Sequence, residues 1–239
     1  MCSTSASTVR APEVDSPAGF GRPNFGEAMN NYATGGMGAR EDLSRYLAAC
    51  YYEPSTDFGE EHLFDSIQAA SMAIDPDLGE SARMLGEAFA AQDMQSLLID
   101  YTALFIGPAQ PRAMPYASFW LTRDPSMRHE ATMSVLDFYG QGGFDVSEEL
   151  HELPDHVAVE LEFLYLMTYR LNQPQADDDQ EDLRATGALR RRFVIEHLGS
   201  WIGPFAAAVD VGACTAFYKE LARFTERFVH LEAGLNSSS

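Results

Sequence analysis

A chain of 239 residues, 46% hydrophobic and 11% aromatic, has enough apolar material for a large core. Its formal charge of -20, from 36 acidic and 16 basic side chains, excludes general binding to nucleic acid or to an anionic membrane surface, since both need a basic footprint. No apolar run reaches the ~18 residues of a membrane span; the longest candidate, 201–217, is interrupted by Gly203-Pro204 and Asp210.

Residues 1–38 are rich in Ser, Thr, Ala, Gly and Pro and hold no apolar segment of the kind a secretory signal needs, so a flexible N-terminal tail is expected. The cysteines are three, Cys2, Cys50 and Cys214, without metal-ligand spacing. They suit reduced thiols in a cytoplasmic protein. Beyond the tail, apolar residues recur at helical spacing and strand-like alternation is nearly absent. The expected fold is all-α: a single globular domain over 39–235, of about nine to twelve helices.

In chain order, the spacing of Leu43, Tyr46, Leu47 and Cys50 predicts a helix over 40–52. Leu63, Phe64, Ile67 and Ala70 predict one over 57–73, ended by Asp75-Pro76. Helices over 77–91 and 94–105 follow. Gly107 is suited to the left-handed closure of a helix and Pro108 forbids its continuation. From Tyr101 to Leu121 the chain is dense in aromatics and prolines. Pro111 and Pro115 stiffen the connection, and a stiff loop bearing Tyr116, Ser118 and Trp120 loses little entropy on holding a ligand, while Phe105 and Trp120 also suit packing beneath it.

A helix over 126–139 ends at the glycines Gly140, Gly142 and Gly143. Then comes Glu152-Leu153-Pro154-Asp155-His156, the start of a helix over 155–171. Asp155 occupies the expected N-cap, with Pro154 keeping the incoming chain extended. His156 and Glu160 are four apart and share a helix face. A helix N-terminus disfavours imidazolium, so a proton on His156 calls for Glu152, Asp155 or Glu160 as partner. The group is therefore a candidate recognition site with a switchable charge. Helices over 180–201, 205–211 and 214–231 complete the chain. The acidic run 177–182 lacks the Gly and terminal Glu of a calcium loop and reads as a solvated helix entry, complemented by Arg190, Arg191 and Arg192 further along.

Catalytic readings are thin. His151, Glu152, Asp155 and His156 have residue types that suit a divalent metal in a hydrolase, but the two histidines lack helical i, i+4 spacing. No phosphate-binding loop and no G-x-S-x-G elbow occur, and no metal or cofactor is expected. A plain helical scaffold is the other alternative.

Five groups of residues, in order, resemble a known family. They are Tyr101-x-x-Leu104-Phe105-x-Gly107-Pro108 with Pro115-Tyr116-x-Ser118; Phe138-Tyr139 before Gly143-Phe144; Glu152-x-Pro154-Asp155-His156 leading to Glu160-Leu161-Glu162-Phe163; Phe193-x-x-x-His197-Leu198-x-x-Trp201; and Phe217-Tyr218-x-x-Leu221-Ala222. The pattern is similar to that of the redox enzyme maturation chaperones of the TorD type, whose relatives serve dimethyl sulfoxide and nitrate reductases, and it spans about residues 40 to 235. The resemblance implies an all-helical cytoplasmic chaperone, not an enzyme. Such a chaperone binds the catalytic subunit of a molybdopterin oxidoreductase through its twin-arginine leader and holds the apoprotein for cofactor insertion. By matching position it places leader binding on Tyr116, Ser118, Trp120, Glu152, Asp155, His156 and Glu160, with Tyr101, Phe105, Gly107, Pro108, Pro115 and Pro154 as structural motif residues. Arg112 departs from the small, apolar character of that loop in relatives. Which reductase is the client, and whether the chaperone is a monomer or a homodimer, are left open.

Overall fold

The computed structural model describes residues 9–10, 36–107, 110–146, 152–173 and 180–234. Of the expected tail, Val9–Arg10 (β1) pairs antiparallel with Asp145–Val146 (β2) in a two-residue ladder, and the rest up to residue 35 lies outside the described residues. All other regular elements among the described residues are helical, as expected. Helix α1 (Met37–Cys50) starts earlier than its apolar spacing suggests and buries Leu43, Tyr46, Leu47 and Cys50.

The single helix expected over 57–73 is divided into α2 (Asp57–Glu60) and α3 (Leu63–Ile74). Between them His62 takes a left-handed conformation at φ 54, which redirects the chain so that Leu63 and Ile67 face the core. Asp75 then caps α4 (Pro76–Ala90), accepting the Leu78 N–H at 2.9 Å, with Pro76 at the first helical position. Asp93 caps α5 (Met94–Tyr101) in the same way through Ser96. The last turn widens to a π-helix at Thr102–Ile106, and Gly107, at φ 64, ends it as predicted. Pro108 lies outside the described residues.

A short α6 (Ala117–Leu121) replaces part of the expected loop. Five residues are too few to show a period. After a 3-10 turn at Pro125–Met127 come α7 (Arg128–Gln141), α8 (Val157–Asn172), α9 (Gln180–Arg192), a π-helical turn at Phe193–Leu198, α10 (Gly199–Gly212) and α11 (Ala216–Glu232). The break expected at Gly203-Pro204 is absent, and α10 runs through Pro204. Trp201 and Ile202 before it and Phe205 and Ala206 after it are all buried, and this packing outweighs the backbone bond that proline removes.

Packing follows the apolar faces. Helix α1 lies along α8 and touches α3, α3 packs on α4, α4 on α11, and α11 on α10. Trp201, Phe163, Phe193, Phe205, Phe217, Phe224 and Phe228 fill the centre. A buried ion network ties the periphery to it: Glu232, its side chain 1% exposed, accepts Arg40 Nε at 2.7 Å and also pairs with Arg190, whose Nε donates to Thr168 at 2.8 Å. Four helices, α1, α8, α9 and α11, meet at that network. No helix among the described residues is long and apolar enough to cross a membrane.

Candidate functional site

The two unusual stretches of sequence are joined by backbone bonds. Val157 N–H donates to Pro115 O at 2.8 Å, Ala117 N–H donates to Asp155 O at 2.9 Å, and Tyr116 and His156 form an isolated antiparallel bridge. Pro115 leads one side into the bridge, while Leu153-Pro154-Asp155 makes a turn closed by the His156 N–H donating to Leu153 O at 3.0 Å, so the extended approach expected at Pro154 is a turn instead; from the bridge each side passes straight into a helix, α6 or α8.

The capping roles differ from those expected. Asp155 Oδ2 accepts the Ser118 N–H at 2.9 Å, so Asp155 caps α6 across the bridge rather than its own helix. The cap of α8 is His156, whose Nδ1 accepts the Ala158 N–H at 3.2 Å. An imidazole accepting at Nδ1 there is neutral, and burial lowers its pKa to about 3. His156 is 3% exposed, stacked on Tyr52 (centroids 6.2 Å apart, 15° between planes) and met by the edge of Tyr116 at 5.3 Å. The charge-switching cluster expected around it is replaced by a neutral aromatic stack, because no carboxylate among the described residues bonds the ring and the ring is buried.

Glu160 is fully buried, and both its oxygens are occupied. Oε1 faces His197 Nε2 at 2.8 Å and Oε2 accepts the Trp201 indole N–H at 3.0 Å. Burial pushes the Glu160 carboxyl up, against the opposing pull of His197 and Trp201. For His197 burial is the largest influence and acts downward, but the Glu160 charge, the hydrogen bond to Glu160 and the Asp155 charge together outweigh it and the net shift is upward. Opposed to its expected place in a groove, Glu160 thus belongs to the interior. His197 and Trp201 are four apart on one helical face, a spacing legible in the sequence that points to a shared polar partner. Tyr139 completes the inner shell, its hydroxyl donating to Pro154 O at 2.8 Å. Asp155 Oδ1 is buried with no hydrogen-bond partner.

Outside this framework lies a partly exposed lip. The Tyr116 hydroxyl donates to Glu152 Oε2 at 2.9 Å, and burial, with Glu152 second, raises its pKa. Trp120 is part-buried, anchored by its indole N–H to Met114 O at 2.8 Å, with its ring 6.3 Å from Phe205. Ser118 is buried. Leu153, whose carbonyl accepts the His156 N–H, presents an exposed apolar side chain beside the bridge. Tyr101 and Phe105 are buried as motif residues should be, with their rings 5.4 Å apart. Arg112 is turned away onto the junction of α10 and α11, donating to Gly212 O at 3.0 Å. His151 of the hydrolase alternative lies outside the described residues, and among those described no cluster of three His, Cys, Asp or Glu is arranged to hold a metal ion.

The family model for the nitrate reductase delta subunit matches residues 71–207, which include both sides of the bridge. Curated relatives are chaperone proteins called TorD. The one from Vibrio vulnificus strain YJ016 is 27% identical over 69% of this chain and 76% of its own length, and the one from Shewanella loihica is 25% identical over 74% and 80%. A solved structure of a redox enzyme maturation protein from Archaeoglobus fulgidus is 21% identical, covering 80% of this chain and 93% of that one, at a TM-score of 0.47. With the family model spanning more than half the chain and with chaperones as its curated relatives, this protein belongs to the nitrate reductase delta subunit family and is a chaperone rather than an enzyme.

Proposed function

We propose that the protein is a cytoplasmic chaperone for a molybdenum-containing oxidoreductase subunit, which it binds through a twin-arginine leader before export, keeping the apoprotein ready for cofactor insertion. The observation that carries this reading is the Tyr116–His156 bridge, which sets a partly exposed carboxylate, Glu152, beside Tyr116 and the exposed Leu153. A leader presents guanidinium groups followed by an apolar run. The lip matches both, with charge-assisted hydrogen bonds for the first and apolar area for the second. The buried Asp155, His156, Ser118 and Glu160 act here as the frame that holds the lip. The net charge of -20 speeds the encounter with a cationic peptide.

Calorimetric titration of the full-length protein against a leader peptide and its Arg-to-Ala form tests this. Binding of the native peptide at least about tenfold tighter than the Ala form is expected. Equal affinity for the two removes the electrostatic part, and no binding of either removes the leader reading.

A further inference from the structure

Half of the net negative charge is concentrated in one stretch. Between Arg45 and Arg112 eleven residues are acidic and one, Arg83, is basic. This stretch folds into α2, α3, α4 and α5, and three of those helices enclose a groove of about 440 Å³ that shares no lining residue with the lip.

The left-handed turn at His62 shapes the groove. It breaks the helix after α2, so that Phe58 meets Phe64 of α3 edge-on at 6.5 Å and Phe89 of α4 at 6.2 Å. Phe64 and Phe89 are 4.4 Å apart, and both rest on the fully buried Phe217 of α11, at 5.7 and 5.4 Å. Phe58 and Phe89 stay half-buried, as an aromatic floor open to solvent. Glycine keeps that floor clear: a Cβ on Gly86 would press the Phe64 Cβ at 3.2 Å, and one on Gly59 would reach Phe89 at 4.0 Å. His62 is the only left-handed residue other than glycine among those described, a strained conformation spent at this one edge.

The rim is acidic and incompletely neutralised. Asp65 and Glu87 line the groove with side chains 72% and 66% exposed, and Glu60, also exposed, adjoins Gly59. The one arginine that lines it, Arg83, is shared between Glu80 and Glu87. Beside Asp65 stands only His62, with Nδ1 at 3.2 Å. A half-open aromatic floor inside a carboxylate rim complements a segment that is apolar on one face and cationic beside it.

We propose that the groove between α2, α3 and α4 docks a basic amphipathic helix of a partner protein, which seats an apolar side chain on Phe58 and Phe89 and sets Lys or Arg against Asp65 and Glu87. The groove walls are helices and offer no strand edge, so recognition there runs through side chains. A helix places cations three and four residues from its apolar anchor, on the same face. This surface is additional to the leader site and does not rest on that reading.

The probe is a peptide of about 18 residues, leucine and lysine patterned with the helical period. It is compared with the same residues in an order without that period and with a version carrying Glu for Lys. The full-length protein is titrated in about 0.15 M salt, where a screening length of about 8 Å confines charge effects to the neighbourhood of the peptide. Wild type is expected to bind the patterned peptide at least about tenfold tighter than either control. Asp65→Asn/Glu87→Gln should lower that affinity about fivefold with the thermal midpoint nearly unchanged, because both side chains are exposed. The equally charged variant Asp137→Asn/Glu181→Gln, with exposed positions on α7 and α9, should stay within about twofold of wild type. Bound peptide should slow amide hydrogen exchange in residues 58–65 and 86–90. Equal losses in the two variants would reduce the interaction to net charge and overturn the groove. Protection at Tyr116 and Glu152 without protection at 58–65 overturns it too, as does a wild type that binds all three peptides alike or none. Each of these results leaves the leader reading to its own titration, which turns on arginine against alanine.

Discussion

The two sides of the Glu152–Glu160 segment are made of the same residue types and do opposite work. On the inner side Asp155, His156 and Glu160 are buried, and apart from the unpaired Asp155 Oδ1 the bonds they make serve the fold: a cap for α6, a cap for α8 and an anchor for His197 and Trp201. On the outer side Glu152 and Tyr116 meet water, make one hydrogen bond to each other and retain free capacity. Residue type therefore does not assign function here. A carboxylate whose lone pairs are filled by the protein is a structural group, and one left with unfilled lone pairs at the surface is available to a ligand.

Removing a group from the inner side should cost stability before it costs anything else, and Glu160 is the extreme case. Glu160→Ala leaves an imidazole and an indole N–H buried without their acceptor. A loss of about 3–5 kcal/mol is expected, read from the urea midpoint. A loss below about 1 kcal/mol would mean that water reaches the site and that the division into inner and outer sides is wrong.

His156 sharpens the same division through pH. Its folded pKa, about 3, lies below the ordinary 6.5. Below pH 6.5 the unfolded chain takes up a proton that the folded one refuses, so the stability is fully present above 6.5 and is lost as pH falls toward 3. Between pH 7 and 4 the loss from this group is about 3 kcal/mol. His156→Asn keeps a capping acceptor and removes the titration. Denaturation midpoints of the two proteins should therefore diverge as pH is lowered from 7 to 4, and parallel curves would place His156 in contact with solvent.

Much of this architecture was legible before any coordinates. The helices α1, α4, α8 and α11 follow from their apolar spacing, and the stop at Gly107 follows from glycine followed by proline. The division at His62 was not legible, because a left-handed histidine leaves no mark in the pattern. Nor was the continuity of α10 through Pro204, which tertiary packing enforces against a local signal. Within the site, the two segments and their importance could be read, but not which side chains are buried. Asp155 looks like the cap of its own helix because sequence shows neighbours along the chain, whereas the N–H it accepts belongs to Ser118, across the bridge.

The smallest expected effect belongs to Tyr116→Phe, on the outer side. The change removes one hydrogen bond from a half-buried phenol to a carboxylate that water can solvate instead. The ring, with its edge on His156, stays in place. Stability should move by no more than about 0.5 kcal/mol, since a solvated partner is not left unsatisfied. For leader affinity two effects oppose: Glu152 gains a free oxygen for the peptide, and it loses the bond that holds its carboxylate in position. These should leave a net change within about threefold. A stability loss above about 1.5 kcal/mol would move Tyr116 to the inner side and make its phenol part of the frame, leaving Glu152 to meet the ligand alone.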